Sequence, residues 1–126
     1  MSKVIINTKK APEPVGPYSQ AIKVNGFIYI SGQIAINPST GELLMDDIKE
    51  ETHQVLKNIS EILYAADSSL QNVVKCSIFL RNIHDFANVN EIYGKYFQTE
   101  PPARETVEVS RLPKNANIEI SCIATY

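Results

Sequence analysis

Ser19-Gln20-Ala21-Ile22-Lys23-Val24-Asn25-Gly26-Phe27-Ile28-Tyr29-Ile30-Ser31-Gly32-Gln33-Ile34-Ala35-Ile36 consists of two apolar-rich runs joined by a single Asn-Gly dipeptide. Asn-Gly supplies the two positive φ angles of a type I′ turn, whose twist matches that of the strands it joins. The stretch therefore reads as a β-hairpin with arms at residues 19–24 and 27–36, and the rest of the chain is read outward from it. Ser31-Gly32 interrupts the second arm and reads as a bulge, since glycine inside a strand commonly marks one.

Downstream, Asn37-Pro38-Ser39-Thr40-Gly41 has turn chemistry, and Asp46-Asp47 suits a helix start. From Ile48 the apolar residues Val55, Leu56, Ile59, Ile62, Leu63 and Ala66 recur every three or four positions. Lys49, Glu50, Lys57 and Glu61 take the other side, as in a helix with one buried face. Residues 73–80 read as a strand covered on both faces, with Val74, Cys76, Ile78 and Leu80 alternating with Val73 and Phe79. Residues 82–85 cap a shorter helix carrying Phe86, Val89, Tyr93 and Phe97 inward, with Asn90 at the margin of that stripe. Two final strands, 105–111 and 117–125, flank the break Leu112-Pro113-Lys114-Asn115-Ala116. This order predicts an α+β two-layer domain, a mixed sheet with both helices on one face. The other face is left open, and a second copy of the chain is a natural cover for it.

The totals fit one domain over residues 1–126. The chain is 44% hydrophobic and 21% charged, with a net charge of −2 and no basic cluster, which argues against nucleic-acid binding. Cys76 and Cys122 lie in apolar strand runs, and no Cys/His spacing suits a metal, so both read as buried free thiols. The first residues show no export signal and no run is long enough for a membrane helix, so a reducing cytoplasm is the expected setting.

Pro101-Pro102-Ala103-Arg104 and, fifteen residues on, Glu119 place one stiffly held cation and one carboxylate on neighbouring strand-like segments. A guanidinium grips a carboxylate through two parallel hydrogen bonds, so the pair outlines a small acid-binding site. By spacing alone both residues, like Tyr18 and Asn90, read as ordinary surface, loop-anchoring or helix-edge residues. His53 and His84 have no nucleophile beside them and read as surface or capping groups.

Seven ordered segments change those odds: Gly16-Pro17-Tyr18-Ser19-Gln20-Ala21, Ile30-Ser31-Gly32-Gln33-Ile34, Asn37-Pro38-Ser39-Thr40-Gly41-Glu42, Val89-Asn90-Glu91-Ile92-Tyr93, Pro102-Ala103-Arg104, Arg111-Leu112-Pro113 and Ile118-Glu119-Ile120. Together they resemble the family called RidA, YjgF or UK114, over nearly the whole chain. The resemblance implies a chorismate-mutase-like fold with a mixed six-stranded sheet, and a barrel-like homotrimer with ligand clefts between subunits. It also implies hydrolysis of short 2-imino acids, such as 2-iminopropanoate and 2-iminobutanoate, to 2-oxo acids and ammonia, with no metal or organic cofactor. Under it, Arg104 is the carboxylate clamp and Glu119 the residue that orients water and shuttles protons. Tyr18, Ser31, Gly32 and Asn90 line the pocket. Thr106 stands where some members have a cysteine, and the loop Gln98-Thr99-Glu100 is shorter than in some relatives. A ligand-binding regulatory trimer without turnover is the alternative the same residues allow. A ribonuclease or translation inhibitor, also attached to parts of the family, fits the acidic balance poorly.

Overall fold

The Asn-Gly turn forms with Asn25 at φ +52° and Gly26 at φ +88°, the two positive values that the dipeptide was read for. The structure is a computed structural model that describes residues 2–126. Met1, the first residue of the stretch read for an export signal, lies outside the described residues. The elements are β1 (Val4–Ile6), β2 (Ala21–Val24), β3 (Phe27–Gln33), α1 (Ile48–Ala65), β4 (Val73–Leu80), α2 (Phe86–Tyr96), β5 (Ala103–Glu108) and β6 (Ile118–Thr125). They build a two-layer α+β domain whose single sheet has the order β1-β2-β3-β6-β4-β5. Every neighbouring pair is antiparallel except β4 and β5, which α2 connects as a parallel crossover.

The two helices cover one face. Ile28, Ile30, Cys76, Ile78, Leu80, Ile118, Ile120 and Cys122 point into that layer and are buried, where they share a core with Val55, Leu56, Ile59, Ile62 and Leu63 of α1. Asp47 caps α1 by accepting the Lys49 backbone N–H at 2.9 Å, as the Asp-Asp pair suggested. The opposite face carries an apolar row, Ile5, Ile22, Tyr29 and Ile123, joined in register across four strands. Phe27, Tyr29 and Val107 on this face are exposed, which is the open face the sequence anticipated.

Several boundaries differ from the sequence reading, each for a local reason. β3 ends at Gln33 because its register with β6 shifts between Ile30 and Gln33, which puts the bulge at Ser31-Gly32. Ile34 and Ile36 leave the sheet and pack with Ala116 in a small second cluster. Asn58 of α1 donates to the Ile36 carbonyl at 2.9 Å and holds that segment. In β4 a second irregularity lies between Val73 and Lys75, so Val74 is exposed instead of sharing the buried face of Cys76. The final strands start and end earlier or later than read, and β1 was not anticipated as a strand. Phe86 is also exposed, turned toward the β5 edge and not inward.

Glu51 is the least expected member of the core. It is 1% exposed, and Asn117 donates to both of its carboxylate oxygens at 3.0 and 3.1 Å. Burial raises its pKa, with the Asn117 hydrogen bond pulling the other way. A pKa raised on folding gives stability that is complete below the unfolded value and is lost as pH rises through the folded one. Thermal melts should therefore show a smaller gain in melting temperature for Glu51→Gln than for the unmodified chain as pH falls from about 8 to about 5. The difference between the two curves isolates Glu51 from the surface carboxylates, and parallel curves would exclude it from the linkage.

Candidate functional site

Four of the residues singled out in the sequence meet in one cleft of about 370 Å³, lined by Tyr18, Ser31, Gly32 and Glu119 together with apolar residues that include Val15 and Ile34. Its outer wall is the proline-rich loop at residues 12–17, and Gln20 holds that loop in place. Gln20 is buried, accepts the Thr8 backbone N–H at 2.7 Å and donates to the carbonyls of Thr8 and Pro12, each at 2.9 Å. The inner wall is the β3 bulge. There the Ser31 hydroxyl donates to the Ser19 carbonyl at 2.6 Å and the Ser31 N–H to the Gln20 carbonyl at 3.0 Å. Tyr18 closes one end, its hydroxyl accepting the Val15 N–H at 3.3 Å.

Gly32 is fixed by Glu119. A Cβ built on Gly32 would come within 2.7 Å of the Glu119 Cδ, closer than any carbon contact tolerates. The carboxylate thus lies directly on the bare backbone of the bulge. Among the described residues it has no ion-pair partner, and it makes no hydrogen bond to another side chain. Burial raises its pKa, so its proton exchanges closer to neutrality than that of a solvated glutamate.

Arg104, Asn90 and Thr106 lie elsewhere. Arg104 pairs in register with Cys76, and Cys76 with Cys122, so its side chain is on the helix face. The guanidinium carbon sits 4.8 Å from the Tyr93 ring centroid and 5.6 Å from that of Phe86. Asn90 is four residues after Phe86 and three before Tyr93, on the α2 face that carries both rings. Thr106 shares the Arg104 side of β5, and its hydroxyl is buried without a partner. Among the described residues Arg104 has no carboxylate partner either. The expectation that Arg104 and Glu119 sit on neighbouring strands is not met. β4 runs between β5 and β6, and Glu119 pairs with Phe79, on the opposite face from Arg104.

The chain thus carries two separate clusters: a carboxylate with a raised pKa in a largely apolar cleft, and a cation on an aromatic shelf beside two polar side chains. A family model described as Endoribonuclease L-PSP matches residues 8–126. A RutC family protein of Pyrococcus abyssi is 54% identical over 98% of each chain. The chain belongs to the RidA/RutC family. The human relative named 2-iminobutanoate/2-iminopropanoate deaminase is 50% identical over 95% of this chain and 88% of its own length. A solved structure from Yersinia pestis, described as a protein of unknown function of the conserved Rid family, has a TM-score of 0.97. It is 52% identical, covering 99% of this chain and 100% of its own.

Sequence reasoning passed over the groups that hold the RidA/RutC cleft open. Gln20 and Gln33 are both buried, and Gln33 donates to the Ser31 carbonyl at 3.2 Å. Their signal was there to be read: glutamines inside apolar strand runs must find partners when buried.

Gly32→Ala should push the Glu119 carboxylate off the bulge at little cost in stability, because only the flexible end of that side chain must move. Urea denaturation should therefore show little loss, and a loss that Glu119→Ala fails to relieve would place the clash on the backbone instead.

Proposed function

We propose that the chain is a hydrolytic deaminase of short 2-imino acids, such as 2-iminopropanoate and 2-iminobutanoate, releasing the 2-oxo acid and ammonia. The observation that carries the reading is Glu119. It is a half-buried carboxylate with no cation beside it, raised in pKa by burial and exposed to an apolar cleft. That is the protonation behaviour a group needs to take a proton from water and return it near neutral pH. The names of relatives about half identical to this chain point to the same chemistry.

Arg104 clamps the substrate carboxylate through two parallel hydrogen bonds. The protonated imine carbon is already electrophilic. Glu119 accepts a proton as water adds: a C–O bond forms, the C=N π bond opens and nitrogen keeps the electron pair. Glu119 then delivers the proton to nitrogen, the C–N bond breaks as ammonia leaves with the electron pair, and the hydroxyl oxygen gives its proton back to Glu119 and becomes the carbonyl. Tyr18 and the Ser31-Gly32 backbone bound the space in which the water and the imine are held.

One chain cannot do this alone, since its arginine and its glutamate lie on opposite faces of the sheet. We infer a homotrimer in which Glu119, Tyr18, Ser31 and Gly32 of one copy meet Arg104, Asn90 and Thr106 of the next, with the open apolar faces turned inward. The net charge of −2 and the lack of a basic cluster disfavour a phosphate-rich ligand such as RNA.

Imine generated in situ by an amino-acid oxidase gives the assay. Arg104→Ala should lower kcat/KM roughly ten- to a hundred-fold, as expected for loss of a charged hydrogen-bonding partner. Glu119→Gln should lower kcat roughly 10²- to 10⁴-fold while leaving 2-oxo acid binding in place. Full turnover in Glu119→Gln would remove Glu119 from the chemistry, and no acceleration of imine decay by the unmodified chain would leave a binding module in place of an enzyme.

Shared sites make a separate prediction. Equal mixtures of the Arg104→Ala and Glu119→Gln chains, unfolded and reassembled together, should recover about a quarter of wild-type activity, because one site in four then draws both intact halves. No recovery in reassembled mixed trimers would place both residues of a site on one chain.

A further inference from the structure

Beneath Arg104 lie the chain's only two cysteines, and nothing in the proposed reaction uses them. Cys76 of β4 and Cys122 of β6 are directly paired across an antiparallel ladder, both turned into the helix layer. Directly opposed residues in such a ladder have Cα atoms about 4.5–5.5 Å apart, inside the range that a disulfide spans. The third member of the cluster is Tyr93 of α2, whose hydroxyl is buried and makes no regular hydrogen bond. The same ring carries the Arg104 guanidinium at 4.8 Å.

We propose that Cys76 and Cys122 are a modification site, a dithiol that a hydroperoxide converts reversibly to a disulfide within one chain.

The two thiols differ in their surroundings. Cys76 pairs in register with Arg104 on β5, while Cys122 lies one strand farther from that cation. A neighbouring guanidinium favours the thiolate, so Cys76 is the attacking sulfur. Its sulfur takes the terminal oxygen of the peroxide: an S–O bond forms, the O–O bond breaks, and the leaving oxygen departs as water or alcohol after taking a proton. Cys122 sulfur then attacks the sulfenic sulfur, so that an S–S bond forms, the S–O bond breaks and a second water leaves with the Cys122 proton. Two electrons pass from the thiols to the peroxide, and a dithiol reductant returns them.

At 1% and 4% exposure the sulfurs are shielded from bulk reagents. Cys76 lies one strand in from the sheet edge at β5, and both thiols lie in the core between the sheet and the helices. Local opening of that edge admits a molecule the size of hydrogen peroxide and excludes larger thiol reagents. Closing the disulfide draws Cys76 away from Tyr93, so it changes the shelf on which Arg104 rests. This last consequence depends on the proposed role of Arg104. The thiol chemistry does not.

The folded protein is treated with hydrogen peroxide, quenched by acid, unfolded and alkylated, then measured by intact mass and peptide mapping. The expected product is one Cys76–Cys122 cross-link per chain, with the loss of two hydrogens and reversal by dithiothreitol. Cys122→Ala should divert Cys76 to sulfenic and higher oxygen adducts. Cys76→Ala should leave Cys122 largely unreacted at the same peroxide dose. Should either variant fold poorly by thermal melt, trapping with dimedone on the unmodified chain decides the order, with the adduct on Cys76. Two intact thiols after peroxide has oxidised the exposed Met45, cross-links only between chains, or primary attack at Cys122 would each overturn the proposal. Imine turnover by the oxidised protein is assayed separately, and an unchanged rate there would remove the link to Arg104 while leaving the modification site standing.

Discussion

β6 lies between β3 and β4, and its pleat sends Ile118, Ile120, Cys122 and Ala124 into the helix layer while Glu119, Ser121 and Ile123 face the other way. That alternation is the constraint on which the site depends. A slip of one residue would drive Glu119 into a core of isoleucines and put Ile120 in the cleft, exchanging the two faces along the whole strand. The penalty for burying a carboxylate among aliphatic side chains is far larger than any gain from the shifted ladder. The same packing that holds the sheet to α1 therefore fixes which face of the sheet carries Glu119. The bulge at Ser31-Gly32 completes the arrangement by drawing one neighbouring strand aside, so that the carboxylate rests on glycine backbone in a space that a side chain would otherwise fill.

Placing β4 between β5 and β6 has a consequence for assembly. In a single layer, two side chains on opposite faces cannot reach one small ligand. The chain instead carries the carboxylate and the cation apart, with an apolar sheet face left open. In the proposed homotrimer a closed ring would bury the row of Ile5, Ile22, Tyr29 and Ile123 and bring each cation toward another copy's carboxylate. On that proposal, assembly and chemistry share a physical origin in the strand order.

Much of this was legible in the sequence where a local rule governed the outcome. Asn25-Gly26 dictated its turn, Asp47 its cap and the three-and-four spacing of Val55 to Leu63 its helix face. The bulge at Ser31-Gly32 was legible because glycine inside a strand has few other uses. What could not be read was governed by partners distant in sequence. The face of Arg104 depends on which strand β5 pairs with, and nothing in residues 101–108 says that the partner is β4. Val74 was placed on the wrong face because the shift between Val73 and Lys75 answers to β6, fifty residues away. Gathering Tyr18, Ser31, Gly32 and Glu119 into one cleft needed the resemblance in sequence analysis and the sheet in the structure.

Glu51 and Glu119 show how the fold separates a structural acid from the one proposed to react. Both are carboxylates withdrawn from water, and burial raises the pKa of both. Glu51 is met by the Asn117 amide on both oxygens, so its charge is compensated by fixed dipoles and it serves to tie α1 to the start of β6. Glu119 receives no such bond. Glu119 is half-buried on the wall of the cleft, where it bears part of the desolvation cost with its oxygens left open to whatever enters. Half-burial without a fixed donor, and not the lack of an ion pair that most surface acids share, separates Glu119 from Glu51 and is the reason to look for chemistry at this strand.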